Sequence, residues 1–134
     1  MKKIIIGLLS LLIIFPKIPA YAAEPELQMM RATAYIGPTD TTCSGKPVYR
    51  GIAGANKRHV GQTAIVYQRL PNNKIGKIIG IYEVEDTGDT PGINNDNVID
   101  IWCPDLDECQ NFMEKVYEDG CQGKVYVQWL EAVG

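Results

Sequence analysis

The chain has 134 residues, of which 46% are hydrophobic, and its 13 lysines and arginines stand against 16 aspartates and glutamates for a net charge of -3. That is the composition of one globular domain, and its acidic balance argues against a nucleic-acid binder, which needs basic surface to displace phosphate counterions. A chain of this size closes a single core, so a site is expected as a groove on one small domain.

Lys2 and Lys3 precede an almost unbroken apolar run from Ile4 to Phe15, and Ala20, Tyr21, Ala22 and Ala23 follow. The run is shorter than the roughly 20 residues a bilayer crossing needs, and small residues at Ala20 and Ala22 suit signal peptidase. Residues 1–22 therefore read as a signal peptide and residues 23–134 as one secreted domain, with no stable membrane insertion once the leader is removed. No cysteine stands directly after the apolar run, at the cleavage site, to carry a lipid anchor. Loss of Lys2, Lys3 and Lys17 leaves the rest more acidic still.

After a short acidic lead-in, Gln28 to Tyr35 reads as a strand, ended by Gly37 and Pro38. Residues 38–50 are rich in turn formers and predict a surface loop of the kind that often lines a site. Thr63 to Leu70 alternates as a strand, Pro71, Asn72 and Asn73 make a turn, and Lys77 to Val84 returns, which together predict a β-hairpin. The Gly, Asp, Asn and Pro cluster at 86–97 predicts a loop, and Val98 to Trp102 a short strand. Asp105 with Glu108 three residues on forms a capping box, and Leu106, Cys109, Met113 and Val116 recur at helical spacing until Gly120. Lys124 to Leu130 closes the chain as a strand with Val125, Val127 and Trp129 on one face. About six strands and one helix near the C-terminus make a β-rich chain and predict a small barrel.

All four cysteines, Cys43, Cys103, Cys109 and Cys121, follow the leader, where an oxidising environment permits disulfides. Of the three possible pairings, Cys103 with Cys109 as a short clip and Cys43 with Cys121 as a long tie is the preferred set. No C-x-x-C pair exists and His59 is the only histidine, so zinc is disfavoured and no metal or cofactor is expected.

The chemistry concentrates in two segments, Glu85-Asp86-Thr87-Gly88 and Ile99-Asp100-Ile101-Trp102. Alternation puts Asp100 on the face of Val98 and Trp102, surroundings that raise a carboxyl pKa and suit a general acid. The structural alternative is an Asp that caps a turn or binds backbone amides. Asp86 opens an Asp-Thr-Gly turn; an aspartic protease is disfavoured because Glu85 precedes the motif and Asp89 follows it. A calcium site from Asp86, Asp89, Asn94, Asn95 and Asp96 lacks EF-hand spacing, and a solvated acidic loop is the better reading. His59 reads as a surface or loop residue. Trp102 and Trp129 are either core or sugar-stacking platforms.

Taken together, Ala32-Thr33-Ala34-Tyr35, Cys43-Ser44-Gly45, Gly51-Ile52-Ala53, Val60 to Ala64, Glu85 to Gly88 and Ile99-Asp100-Ile101 resemble the three-aspartate (3D) domain family. That family is found in membrane-bound lytic transglycosylase A and in exported cell-wall lytic proteins, and the resemblance covers about residues 31–131. Two departures stand out: Gly54-Ala55-Asn56 occupies the place of the first aspartate, and a longer polar loop, Asp89 to Asn97, replaces a glycine-rich one. The resemblance implies a six-stranded double-psi β-barrel that cleaves the β-1,4 bond between N-acetylmuramic acid and N-acetylglucosamine in peptidoglycan. It implies Asp100 as the acid/base and Asp86 as its support, both catalytic. Tyr35, Thr87, Gly88 and Trp102 are candidates for binding and orienting the glycan strand. A non-catalytic wall-binding module on the same barrel is the competing reading.

Overall fold

The computed structural model describes residues 26–36, 42, 45, 47–88 and 90–131. The expected leader over residues 1–22, the strand-ending Gly37 and Pro38, and Cys43, Ser44 and Asp89 lie outside them. Six strands, β1 (Gln28–Ile36), β2 (Ile52–Gly54), β3 (Thr63–Leu70), β4 (Lys74–Asp86), β5 (Val98–Cys103) and β6 (Lys124–Leu130), close into a barrel in the order β1-β5-β2-β4-β3-β6. The pairs β1–β5 and β2–β4 are parallel and the other four antiparallel, so this is a mixed barrel and not a simple meander. Among the described residues a single α-helix, α1 (Leu106–Tyr117), precedes the last strand.

Alternation builds the inside. On β3, Ala64 and Val66 point inward and are fully buried, as are Val125 and Val127 on β6 and Val84 on β4. Each of these valines contributes about 1.5–3 kcal/mol by leaving water. The β3–β4 turn is made by Asn72 (φ 65°) and Asn73 (φ 59°), a residue type that tolerates the left-handed region, and Tyr126 Oη donates to the Asn73 carbonyl at 2.8 Å.

The helix starts where the capping pattern puts it: Asp105 Oδ1 accepts from the Glu108 amide at 2.9 Å. Its inner face differs from the expected one. Phe112 and Val116 are buried and Cys109 and Met113 pack on the core, while Leu106, the first residue of the helix, is 59% exposed. The strand missing from the sequence reading is β2. Its three residues are all buried and too few to show a period.

Candidate functional site

The barrel's register sets one row of residues side by side. Thr33 of β1 stands opposite Asp100 of β5, Asp100 opposite Gly54 of β2, and Gly54 opposite Asp86 of β4. Neighbouring strands lie about 4.8 Å apart, so the two aspartates flank a strand whose residue has no side chain. That glycine places no side chain between them. A Cβ at Gly54 would meet no atom closer than the Asp86 carbonyl oxygen at 3.7 Å, so space, not strain, is what the residue provides.

Asp100 is 7% exposed, and each carboxylate oxygen has a hydroxyl partner: Thr33 Oγ1 donates to Oδ1 at 2.8 Å and Thr90 Oγ1 to Oδ2 at 2.9 Å. Burial, the largest influence, pushes its pKa above the ordinary carboxylate value, and the nearby charge of Asp86 pushes the same way. The two threonine hydroxyls pull it down without cancelling the rise. A threonine hydroxyl donates to the ionised carboxylate and can rotate to accept from the protonated one, so both states are accommodated in place. Asp86 is held differently: the Thr87 amide donates to Oδ1 at 2.9 Å, and Tyr35 Oη lies 3.5 Å from Oδ2.

The sequence-predicted residues Asp86, Asp100, Tyr35 and Thr87 thus meet at one end of β1, β4 and β5. Gly88 follows on an open edge, with nothing within 4 Å of where a Cβ would project. Trp102 stands beside Tyr35 in the β1–β5 register and lines a cavity of about 320 Å³ beneath α1, together with Arg50, Tyr82, Phe112 and Lys115. The Arg50 guanidinium closes its rim by a two-pronged bond to Glu108 at 2.6 and 3.1 Å.

Thr33, Gly54, Thr90 and Asn56 were not singled out as site residues from sequence. Thr33 carried a signal, since it lies two positions before Tyr35 and so shares its face. Thr90 carried none, because the loop's path decides where it points. That loop is anchored by the buried Ile93 and by long-range bonds. Asn56 Nδ2 donates to the carbonyls of Ile93 (3.2 Å) and Asn94 (3.1 Å), Arg31 to that of Pro91 (3.1 Å), and Gln28 to that of Asp96 (2.8 Å).

His59 is a correction to the sequence reading. It is 5% exposed, inside a short 3-10 turn, and its ring stacks on Trp129 with centroids 3.7 Å apart and planes 6° from parallel. Its Nδ1 lies 2.7 Å from Gln62 Oε1 and its Nε2 2.9 Å from Asp96 Oδ1. Histidine is hidden here because polar partners satisfy both ring nitrogens, Gln62 three residues on and Asp96 37 positions away. Asp96 also pairs with Arg58 and is thereby committed as a loop fastener. Among the described residues no group of three or more His, Cys, Asp or Glu side chains is placed to hold a metal ion.

Cys103, Cys109 and Cys121 are thiols in the structure, where the sequence reading expects bridges, and Cys43 lies outside the described residues. Cys103, at the end of β5, is pushed up to about 12 by burial and by Cys109, which is close enough to share a hydrogen bond with it. Cys121 is fully buried at the turn into β6.

No family model fits the chain, and no curated protein is similar enough to count as a relative.

Proposed function

We propose that the chain is a secreted lytic transglycosylase that cuts the N-acetylmuramic acid to N-acetylglucosamine bond of peptidoglycan. The observation that carries this reading is the buried Asp100 with its raised pKa, facing Asp86 across the bare backbone of Gly54. A carboxyl that stays protonated into a higher pH range is suited to give its proton to the glycosidic oxygen as the bond breaks. The resulting carboxylate then takes the proton of the muramic acid's own C6 hydroxyl, which closes the 1,6-anhydro ring, so no water is consumed. Asp86, fixed by the Thr87 amide, steadies the positive charge that develops on the sugar ring. Tyr35 and Trp102 supply the aromatic surfaces at one end of the gap.

A wall-binding module without catalysis is favoured by one observation: both oxygens of Asp100 already hold hydroxyl partners, as in a carboxylate kept for structure. Mass spectrometry of soluble products separates the two. The chain from Ala23 onward is incubated with purified peptidoglycan beside an Asp100→Asn control. Anhydro-muropeptides released only by the unaltered protein support the enzyme. Binding to insoluble peptidoglycan with no release supports the module, and reducing-end products would mean a hydrolase.

A further inference from the structure

Centred on β3 and β6, which stand opposite β5 and β2 in the ring, the outward residues of β4, β3, β6 and β1 form an apolar sheet face. Register defines it. Ile81, Ile65 and Gln128 make one row, and Ile78, Tyr67, Tyr126 and Met29 the next. Ile75 and Leu130 extend it at opposite ends. Met29, Ile75, Ile78 and Ile81 are 49%, 54%, 53% and 60% exposed, and Leu130 39%. Those side chains alone open on the order of 400 Å² of apolar surface, as large as the largest patch on a typical monomer. Five of the nine large hydrophobics exposed among the described residues lie on this one face.

The charges around the face are sorted by end. β4 begins at exposed Lys74 and passes exposed Glu83 near its far end. β6, which runs parallel to β4 because both are antiparallel to β3, begins at Lys124 and is followed by Glu131. Arg69 adds to the basic end opposite Ile75. The apolar rows between them hold no charged residue, and Lys77, at the margin, is turned aside into an ion pair with Glu118 at 2.9 Å.

We infer that this face binds a second copy of the same chain in a two-fold dimer. A two-fold axis lying across the strands lays each end of the face on the opposite end of its twin. Glu83 then meets the second copy's Lys74, Glu131 meets the second copy's Lys124, and the isoleucine rows meet in the middle. An isologous contact requires a surface that complements itself in this way, and a face with like charges at both ends could not provide it. With its charged ends included, the face approaches the ~800 Å² per partner of a standard interface. In the ring β3 stands opposite β5 and β6 opposite β2, so the centre of the dimer contact lies across the barrel from Asp100 and Gly54.

Sedimentation velocity of the chain from Ala23 onward tests this, with Ile78→Glu and Ile81→Lys beside it. At about 0.1 mM the unaltered chain sediments as a dimer, and each variant raises the dissociation constant roughly 100-fold and sediments as a monomer. Both side chains are half exposed, so circular dichroism should show the barrel intact. Carbodiimide coupling of mixed isotope-labelled and unlabelled chains should join Glu83 of one copy to Lys74 of the other. A monomeric unaltered chain at that concentration, or a dimer that both variants leave unchanged, overturns the inference. A monomer that co-floats with lipid vesicles through this face would give it to a membrane surface and overturn the inference as well.

Discussion

Replacing Asn56 with Asp restores a carboxyl at the place where the resembling family carries its first aspartate, and the structure says that this should harm the protein. Asn56 Oδ1 accepts from the Arg58 amide at 3.0 Å, which a carboxylate could still do. Its Nδ2, however, donates to the carbonyls of Ile93 and Asn94, and a carboxylate oxygen there would face two acceptors with no proton to offer. Two hydrogen bonds at about 1 kcal/mol each are lost, and a partly solvated anion set against two carbonyls adds to that, for about 2–3 kcal/mol in all. For a domain of this size the melting temperature should fall by roughly 8–12 °C at neutral pH. The carbonyls disfavour the charged form, so the introduced carboxyl has a folded pKa above its unfolded value of about 3.9. The penalty therefore grows as pH rises through that folded pKa, and below about pH 4 the protonated group donates one bond back and about half of the deficit disappears. Thermal unfolding by circular dichroism at pH 7 and pH 3 reads both effects. Because the anchored loop carries Thr90, glycan cleavage should fall as well. An Asn56→Asp protein that melts with the unaltered chain at pH 7, or cleaves faster than it, would refute the argument.

Thr90→Val deletes one donor to the ionised form of Asp100, so the carboxyl's pKa should rise further and the alkaline limb of the cleavage rate, where the acid loses its proton, should move to higher pH, measured as a pH–rate profile. Asp100→Asn should abolish cleavage, a fall of at least about 100-fold. It should also change the pH dependence of stability. Folded Asp100 binds its proton more tightly than the unfolded residue, so stability falls as pH rises from the unfolded pKa through the folded one, and in Asp100→Asn that downward slope should be missing from melting curves across the acidic range. Gly54→Ala fills the gap between the carboxylates with a methyl that meets only backbone at 3.7 Å or more; its melting temperature should stay within a few degrees of the unaltered chain while cleavage drops about 10-fold or more.

The parts of this fold that were legible in the sequence are those with a period. The alternation of Thr63 to Leu70, the turn at Asn72 and Asn73, and the capping pair Asp105 and Glu108 each state their structure within a few residues. β2 could not be read, because three buried residues have no period and their strand character comes from β4 and β5 on either side. The site divides in the same way. Asp86 and Asp100 stand out by their motifs, but Thr33 is 67 positions from Asp100 and joins it only through a parallel pairing. Thr90 is ten positions away and depends on a loop pinned by Asn56, Arg31 and Gln28. His59 was misplaced for the same reason, since Asp96, which satisfies it, lies 37 positions on.

The seating of β1 has a kinetic consequence. The first strand of the barrel lies between β5 and β6, the last two to be synthesised, so the ring cannot close until the chain is complete to about Leu130. A half-made chain can form the local β3–β4 hairpin but has no partner for either edge of β1. Thr33 meets Asp100 only once β5 is made, late in the chain. Such long-range closure slows folding and keeps the growing chain open while it emerges from the ribosome. An open chain is the form that a translocation channel can thread.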